Sequence, residues 1–152
     1  MRIDLGCGRR CRGDIGVTLA ERTPAGRDDT HTHLDRYFEV YGFTYNPNAQ
    51  IHYEDVEVWV KQNSVAGHSI LLSHTLEHLK HPYDLLSALG DAQLIVIVVP
   101  NARTNDADQH DDGHLYSWTK WSLENLLNNT LKDRTKRVVE IVGGLDLMAV
   151  VT

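Results

Sequence analysis

Residues 93–99 read QLIVIVV, six consecutive apolar side chains of which all but Leu94 are β-branched. Such a run leaves no face for water. It predicts a strand in the middle of a parallel sheet, covered on both sides. Ser69–Ser73, SILLS, predicts a second buried strand. Parallel neighbours need a crossover, and residues 76–89 supply it: Leu79, Leu85, Leu86 and Leu89 recur at helical spacing. Pro82 jogs that helix and suits its first turn, and Gly90 ends it.

The remaining elements alternate in the same way. Ile3–Leu5 and Ile15–Ala20 read as strands. Only Gly6–Asp14 lies between them, fewer than the roughly 10–12 residues a full crossover needs, so the connecting helix is one turn or absent. Residues 23–31 are loop-like. Residues 33–43 carry Leu34, Tyr37, Phe38 and Tyr41 at helical spacing, with Gly42 as the stop. Gln50–Glu54 reads as a strand. Residues 55–63 fit strand or helix, and helix is preferred. Ser117 is expected to cap a helix carrying Trp118, Trp121, Leu123, Leu126 and Leu127, with the two tryptophans on one core-facing side. Residues 137–142 and 145–151 read as a terminal hairpin about Gly143-Gly144. The expectation is a single domain over residues 1–152: an α/β three-layer sandwich, mostly parallel, with a C-terminal antiparallel β-hairpin.

Composition narrows the function. At 41% hydrophobic, 24% charged and a formal net charge of -6, the chain argues against a nucleic-acid backbone as main partner. Positive charge is local: Arg2, Arg9, Arg10, Arg12 and Arg22. The two cysteines, Cys7 and Cys11, suit neither a disulfide framework nor a four-thiolate zinc site. No apolar run reaches the roughly 18–20 residues of a membrane helix. The start, MRIDLGCGRR, has no signal-peptide core. A cytoplasmic protein without a membrane partner is expected.

Three predicted strands run into chemistry at their carboxyl ends, where open parallel sheets bind ligands. The first ends in Asp4-Leu5-Gly6-Cys7-Gly8, a glycine turn that lets backbone approach a ligand; its plain alternative is a tight turn with no ligand. The second ends in SHTLEHLKHP, the third in Pro100-Asn101. His74-x-x-Glu77-His78 also spells a zinc-hydrolase pattern, but there both histidines belong on one helix, and His74 follows directly on a strand. His110 and His114, with Asp106, Asp108, Asp111 and Asp112, are a metal candidate if that loop orders as a helix; the plain alternative is a solvated loop. No metal is assigned.

DLGCGRRCRGDIGV, ILLSHTLEHLKHPYDLL, LIVIVVPN and GHLYSWTKWSLENLL, in that order, resemble class I S-adenosylmethionine-dependent methyltransferases of the small type with a shortened first connection. The resemblance implies a Rossmann-like fold and S-adenosylmethionine as cofactor. By it, Gly6, Cys7 and Gly8 lie against the methionyl end, with Asp4 fixing the loop or meeting the amino group through water. Thr18 stands where the family usually has an acid on the ribose hydroxyls, and Glu21 is the candidate substitute. Asp55 matches the acid facing adenine, and Ser73 and His74 line the cofactor. His78 and His114 are candidate bases, with Asn101 and Tyr116 as substrate-pocket wall. The implied reaction is methyl transfer to an unidentified small-molecule acceptor. The competing readings are a degenerate interaction subunit without catalysis and the zinc hydrolase. A homodimer, argued from LDLMAVV (145–151) as an apolar sheet edge, or a partner subunit would complete the site.

Overall fold

The computed structural model describes residues 1–19, 31–104 and 113–152. Strands β1 (Arg2–Leu5), β2 (Ile15–Val17), β3 (Gln50–His52), β4 (Ser69–Ser73) and β5 (Leu94–Pro100) run parallel. β6 (Lys136–Ile141) and β7 (Asp146–Val151) form the antiparallel hairpin, with β7 on β5. Across the sheet the order is β3-β2-β1-β4-β5-β7-β6. The chain thus winds one way from β1 and the other way from β4, so the switch point lies between those two strands.

β5 shows why its sequence is apolar throughout. Ile95, Ile97 and Val99 pack on one side of the sheet against α2 (Val56–Gln62), α3 (Pro82–Ala88) and α4 (Lys120–Thr130). Val96 and Val98 pack on the other, under Leu34 and Phe38 of a 3-10 turn (His31–Leu34) and the short α1 (Asp35–Glu39). Full burial of each such side chain stabilises by about 1.5–3 kcal/mol, which a strand half-exposed to water would forgo. Among the described residues no helix is long and apolar enough to cross a membrane.

The connection from β1 to β2 contains no helix and is held by polar contacts. Gly6 N–H donates to Val17 O (2.7 Å) and Asp14 N–H to Arg2 O (2.8 Å). The Asp4 carboxylate accepts from Arg12 N–H (2.7 Å), and Arg12 and Arg10 reach across to Asp35 at 2.7 and 2.6 Å. That pair of arginines pins α1 onto the sheet.

Two expectations are corrected. The last helix is capped by Thr119, not Ser117. The Thr119 side chain accepts from Ser122 N–H while Ser122 Oγ accepts from Thr119 N–H, a reciprocal box that starts the helix at Lys120. Trp118 therefore precedes the helix and is buried, whereas Trp121 is 73% exposed. With Leu123 and Leu127 facing the core, Trp121 lies about 200° around the helix from Leu123. The second correction concerns 145–151. β7 is interior, hydrogen-bonded to β5 and β6 on its two sides; the sheet edge is β6, which carries Lys136, Arg137 and Glu140. The apolar run is covered by its own hairpin partner, and the ground offered for a homodimer falls.

Candidate functional site

The loops leaving β1, β2, β3 and β4 meet at one end of the sheet. Gly6, Thr18, Asp55, His74 and His78 line a single cleft of about 210 Å³ there, with Leu19, Val56, Thr75 and Leu79 completing its wall. This is the switch-point position where open α/β sheets bind ligands.

Each wall residue has a local cause. Gly6 has φ +83, a region that glycine enters without the Cβ penalty. A Cβ there would lie 2.0 Å from Thr75 Oγ1. Thr75 Oγ1 lies 3.0 Å from Leu5 O and 3.1 Å from Ser73 O, joining the ends of β1 and β4. Thr18 N–H donates to His52 O and its carbonyl accepts from Glu54 N–H, which fixes the β2 end against β3. Asp55 is the N-cap of α2, its Oδ1 accepting from Glu57 N–H (2.8 Å) and Val58 N–H (3.2 Å). Asp55→Ala should cost about 1 kcal/mol and lower Tm by about 2–4 °C, while Asp55→Ser, which can still cap, should melt near the wild type when both are followed by circular dichroism.

The other expected site residues lie around the cleft rather than in its wall. Asp4 is buried beneath the turn on Arg12 N–H. Cys7 turns inward beside Cys11: the Cys11 thiol and burial push the Cys7 pKa up, while the Cys7 thiol holds that of Cys11 down against the effect of burial. Gly8 has φ +58 and open space where a Cβ would stand. Ser73 Oγ is buried without a protein hydrogen-bond partner. Asn101 is engaged in structure, its amide donating to Gly144 O (2.9 Å) and accepting from Arg103 N–H (3.2 Å). Tyr116 stacks on Trp118 and donates to Lys80 O (3.2 Å). Glu21 and the cluster around His110 lie outside the described residues.

Beside the cleft a second group assembles. Leu115 and Tyr116 N–H both donate to Glu77 O, drawing the 113–116 segment onto the 3-10 turn Leu76–His78. His114 thereby meets His78, ring centroids 4.6 Å apart. His78 Nδ1 lies 2.9 Å from Gly113 O; a carbonyl only accepts, so Nδ1 carries the proton and neutral His78 keeps its lone pair on Nε2. Donor atoms of Glu77, His78 and His114 lie within 4.8 Å of one another, the only such group among the described residues. Glu77 is 1% exposed, and neither carboxylate oxygen has a hydrogen-bond partner. The two histidines of the HTLEH stretch do not converge. His74 has φ +49 and turns toward Asp146. Burial pushes the Asp146 carboxyl above the usual carboxylate range, against the pull of His74, His31 and His33.

Sequence reasoning missed Thr75 as the wall opposite Gly6 and Glu77 as the partner of His78 and His114. Glu77 had a usable signal, an acid in a stretch otherwise destined for burial, flanked by Leu76 and Leu79. Thr75 had none until β1 was paired with β4.

No protein-family model and no curated protein sequence matches the chain. Solved structures do match its fold. The plantazolicin methyltransferase BamL, in complex with a triazolic desmethylPZN analog and SAH, superposes with TM-score 0.62 at 11% identity, over 99% of this chain and 76% of BamL. The methyltransferase domain of bacterial CtHen1-CN gives TM-score 0.56 at 16% identity, over 99% of this chain and 89% of that one. A chain of the Pnkp1/Rnl/Hen1 RNA repair complex gives TM-score 0.60 at 14% identity; the present chain is 99% covered and spans 37% of it. At these identities the likeness is one of fold. The chain has the Rossmann-like α/β fold of S-adenosylmethionine-dependent methyltransferases.

Proposed function

We propose that the chain binds S-adenosylmethionine in the switch-point cleft and transfers its methyl group to a nucleophilic oxygen or nitrogen of a small-molecule acceptor. The observation that carries this is the convergence of Gly6, Thr18, Asp55 and His74, from four strand ends, on one cleft in this fold. Gly6 lets backbone approach the methionyl end, Thr18 offers a hydroxyl near the ribose, and Asp55 keeps a carboxylate near the adenine. Methyl transfer from a sulfonium needs in-line placement and exclusion of water more than covalent help. An acceptor hydroxyl needs a base, and His78, with Nε2 as its lone-pair nitrogen, is suited to it; His114 stands against its ring. The test is calorimetric titration of the full chain with S-adenosylhomocysteine. A Kd tighter than about 100 μM, near -5.5 kcal/mol, is expected. No heat at millimolar ligand would overturn the cofactor assignment for the chain alone and favour a degenerate interaction subunit or a site finished by a partner; the RNA repair neighbour is itself part of a complex.

A second reading of the group beside the cleft is favoured by Glu77. A carboxylate this buried, with neither oxygen bonded, is costly unless a cation meets it. One carboxylate and two imidazoles suit a divalent ion such as Mn²⁺ or Zn²⁺. Glu77, His78 and His114 would hold it, and the ion would supply Lewis acidity to lower the pKa of an acceptor hydroxyl. His78 then serves as ligand in place of base.

A further inference from the structure

We infer that His74 is a positioning residue, its ring spanning the buried carboxylates of Asp146 and Glu77 and fixing Glu77 against His78 and His114. The inference rests on the reading of those last three residues as a cation site.

The geometry is specific. His74 Nδ1 lies 3.5 Å from Glu77 Oε1, and Nε2 lies 3.5 Å from Asp146 Oδ1. The two acids come from different elements: Glu77 from the turn after β4, Asp146 from the start of β7, where it pairs with Pro100. Both are almost fully buried, at 1% and 4% exposure. Two carboxylates so placed repel each other and gain little from water, and a flat ring set between them keeps them apart while presenting one nitrogen edge to each at 3.5 Å, beyond hydrogen-bonding contact with Glu77. A glutamine or lysine cannot present two opposed ring nitrogens in one plane; an imidazole can.

The backbone is bent to put it there. φ +49 is uncommon for a residue with a Cβ and costs of order 1–3 kcal/mol, persisting only where the surroundings over-determine it. Two contacts do so here. His74 N–H donates to Val98 O (2.8 Å), and its ring stacks on His31 at 4.2 Å and 5°. His33 closes the far side of His31 edge-on. His74 is not among the converging donors of the cation group, so its contribution runs through the orientation of Glu77. Partners that orient a ligating group are worth about 10–100-fold in metal affinity.

The test is Mn²⁺ binding by electron paramagnetic resonance on the chelator-stripped full chain. His74→Gly suits it because glycine accepts the positive φ, so the fold is retained while the ring is removed. His74→Gly and Asp146→Asn should each weaken Mn²⁺ binding by about 10–100-fold and broaden the bound signal. Added imidazole should restore affinity to His74→Gly, a rescue that a merely structural role would not give. Glu77→Gln should abolish binding. Asp146→Asn should keep wild-type affinity for S-adenosylhomocysteine, since Asp146 is outside the cleft wall. Wild-type Mn²⁺ affinity in both His74→Gly and Asp146→Asn, with loss in Glu77→Gln, would overturn the positioning role and leave the cation site standing. No Mn²⁺ binding by the wild type would overturn both.

Discussion

Gly6→Ala should lower stability by about 2–5 kcal/mol, the sum of roughly 1–2 for a side chain at positive φ and 1–3 for overpacking. The position has φ +83, and the added Cβ would meet Thr75 at 2.0 Å from Oγ1, 2.6 Å from Cγ2 and 2.9 Å from Cβ. For a chain of this size the cost corresponds to a fall in Tm of about 4–20 °C. Thr75 cannot simply rotate away, because its hydroxyl joins the ends of β1 and β4. The double variant Gly6→Ala/Thr75→Gly separates the two contributions. It removes the three atoms nearest the new Cβ, so it should melt above the sum of the single effects while keeping the backbone penalty. Thermal unfolding by circular dichroism reads all four species. The same substitution reshapes the cleft wall, so heat on titration with S-adenosylhomocysteine should disappear in Gly6→Ala. A single variant that melts with the wild type would mean that Gly6 and Thr75 are not in contact.

Asp35→Ala should cost about 1.5–3 kcal/mol, because it removes the carboxylate that the buried Arg12 guanidinium faces and leaves that group its bonds to Arg10 O and His31 O. Arg12 is 3% exposed and gives Asp35 its Nε at 2.7 Å; Arg10 adds a second contact at 2.6 Å. Burial alone would push the Asp35 carboxyl up. Arg12 and Arg10 outweigh it and hold the group below its ordinary value of 3.8. A carboxyl depressed in the folded state contributes stability that is complete above the unfolded pKa and is lost as pH falls through the folded one. The wild type should therefore lose this contribution only below about pH 4, and the Asp35→Ala chain, lacking it throughout, should show a shallower acid limb. Melting temperatures between pH 7 and pH 3 check the prediction; parallel limbs would mean that Asp35 is not the group titrating. The stake is functional as well. These arginines tie the loop after Gly6–Gly8 to α1, which carries the roof of the sheet.

Much of this architecture was legible because its causes are local. QLIVIVV and SILLS announce strands buried on both faces. Pro82 and Gly90 bracket a helix at α3, and Gly143-Gly144 mark the turn of the last hairpin. The failures were local too, but subtler. Ser117 and Thr119 are both good caps, and only the reciprocal bond with Ser122 decides between them. One misplaced cap put Trp121 on the wrong side of its helix. The edge status of 145–151 was not local at all. Whether β6 or β7 lies against β5 depends on which apolar strand gains more by burial on both sides, and β7 is the more apolar of the two.

The sequence by itself determined the class of fold, the strand ends that carry glycine, acid and histidine, and the absence of a full first crossover. Each is a property of a window of neighbouring residues: its period, its turn chemistry, its length. Only the tertiary structure decided that Gly6 faces Thr75, that Glu77 meets His114, and that His74 lies between Glu77 and Asp146. Those meetings follow from strand order and register. Order and register are set by the summed packing of the whole sheet, and no window contains that sum.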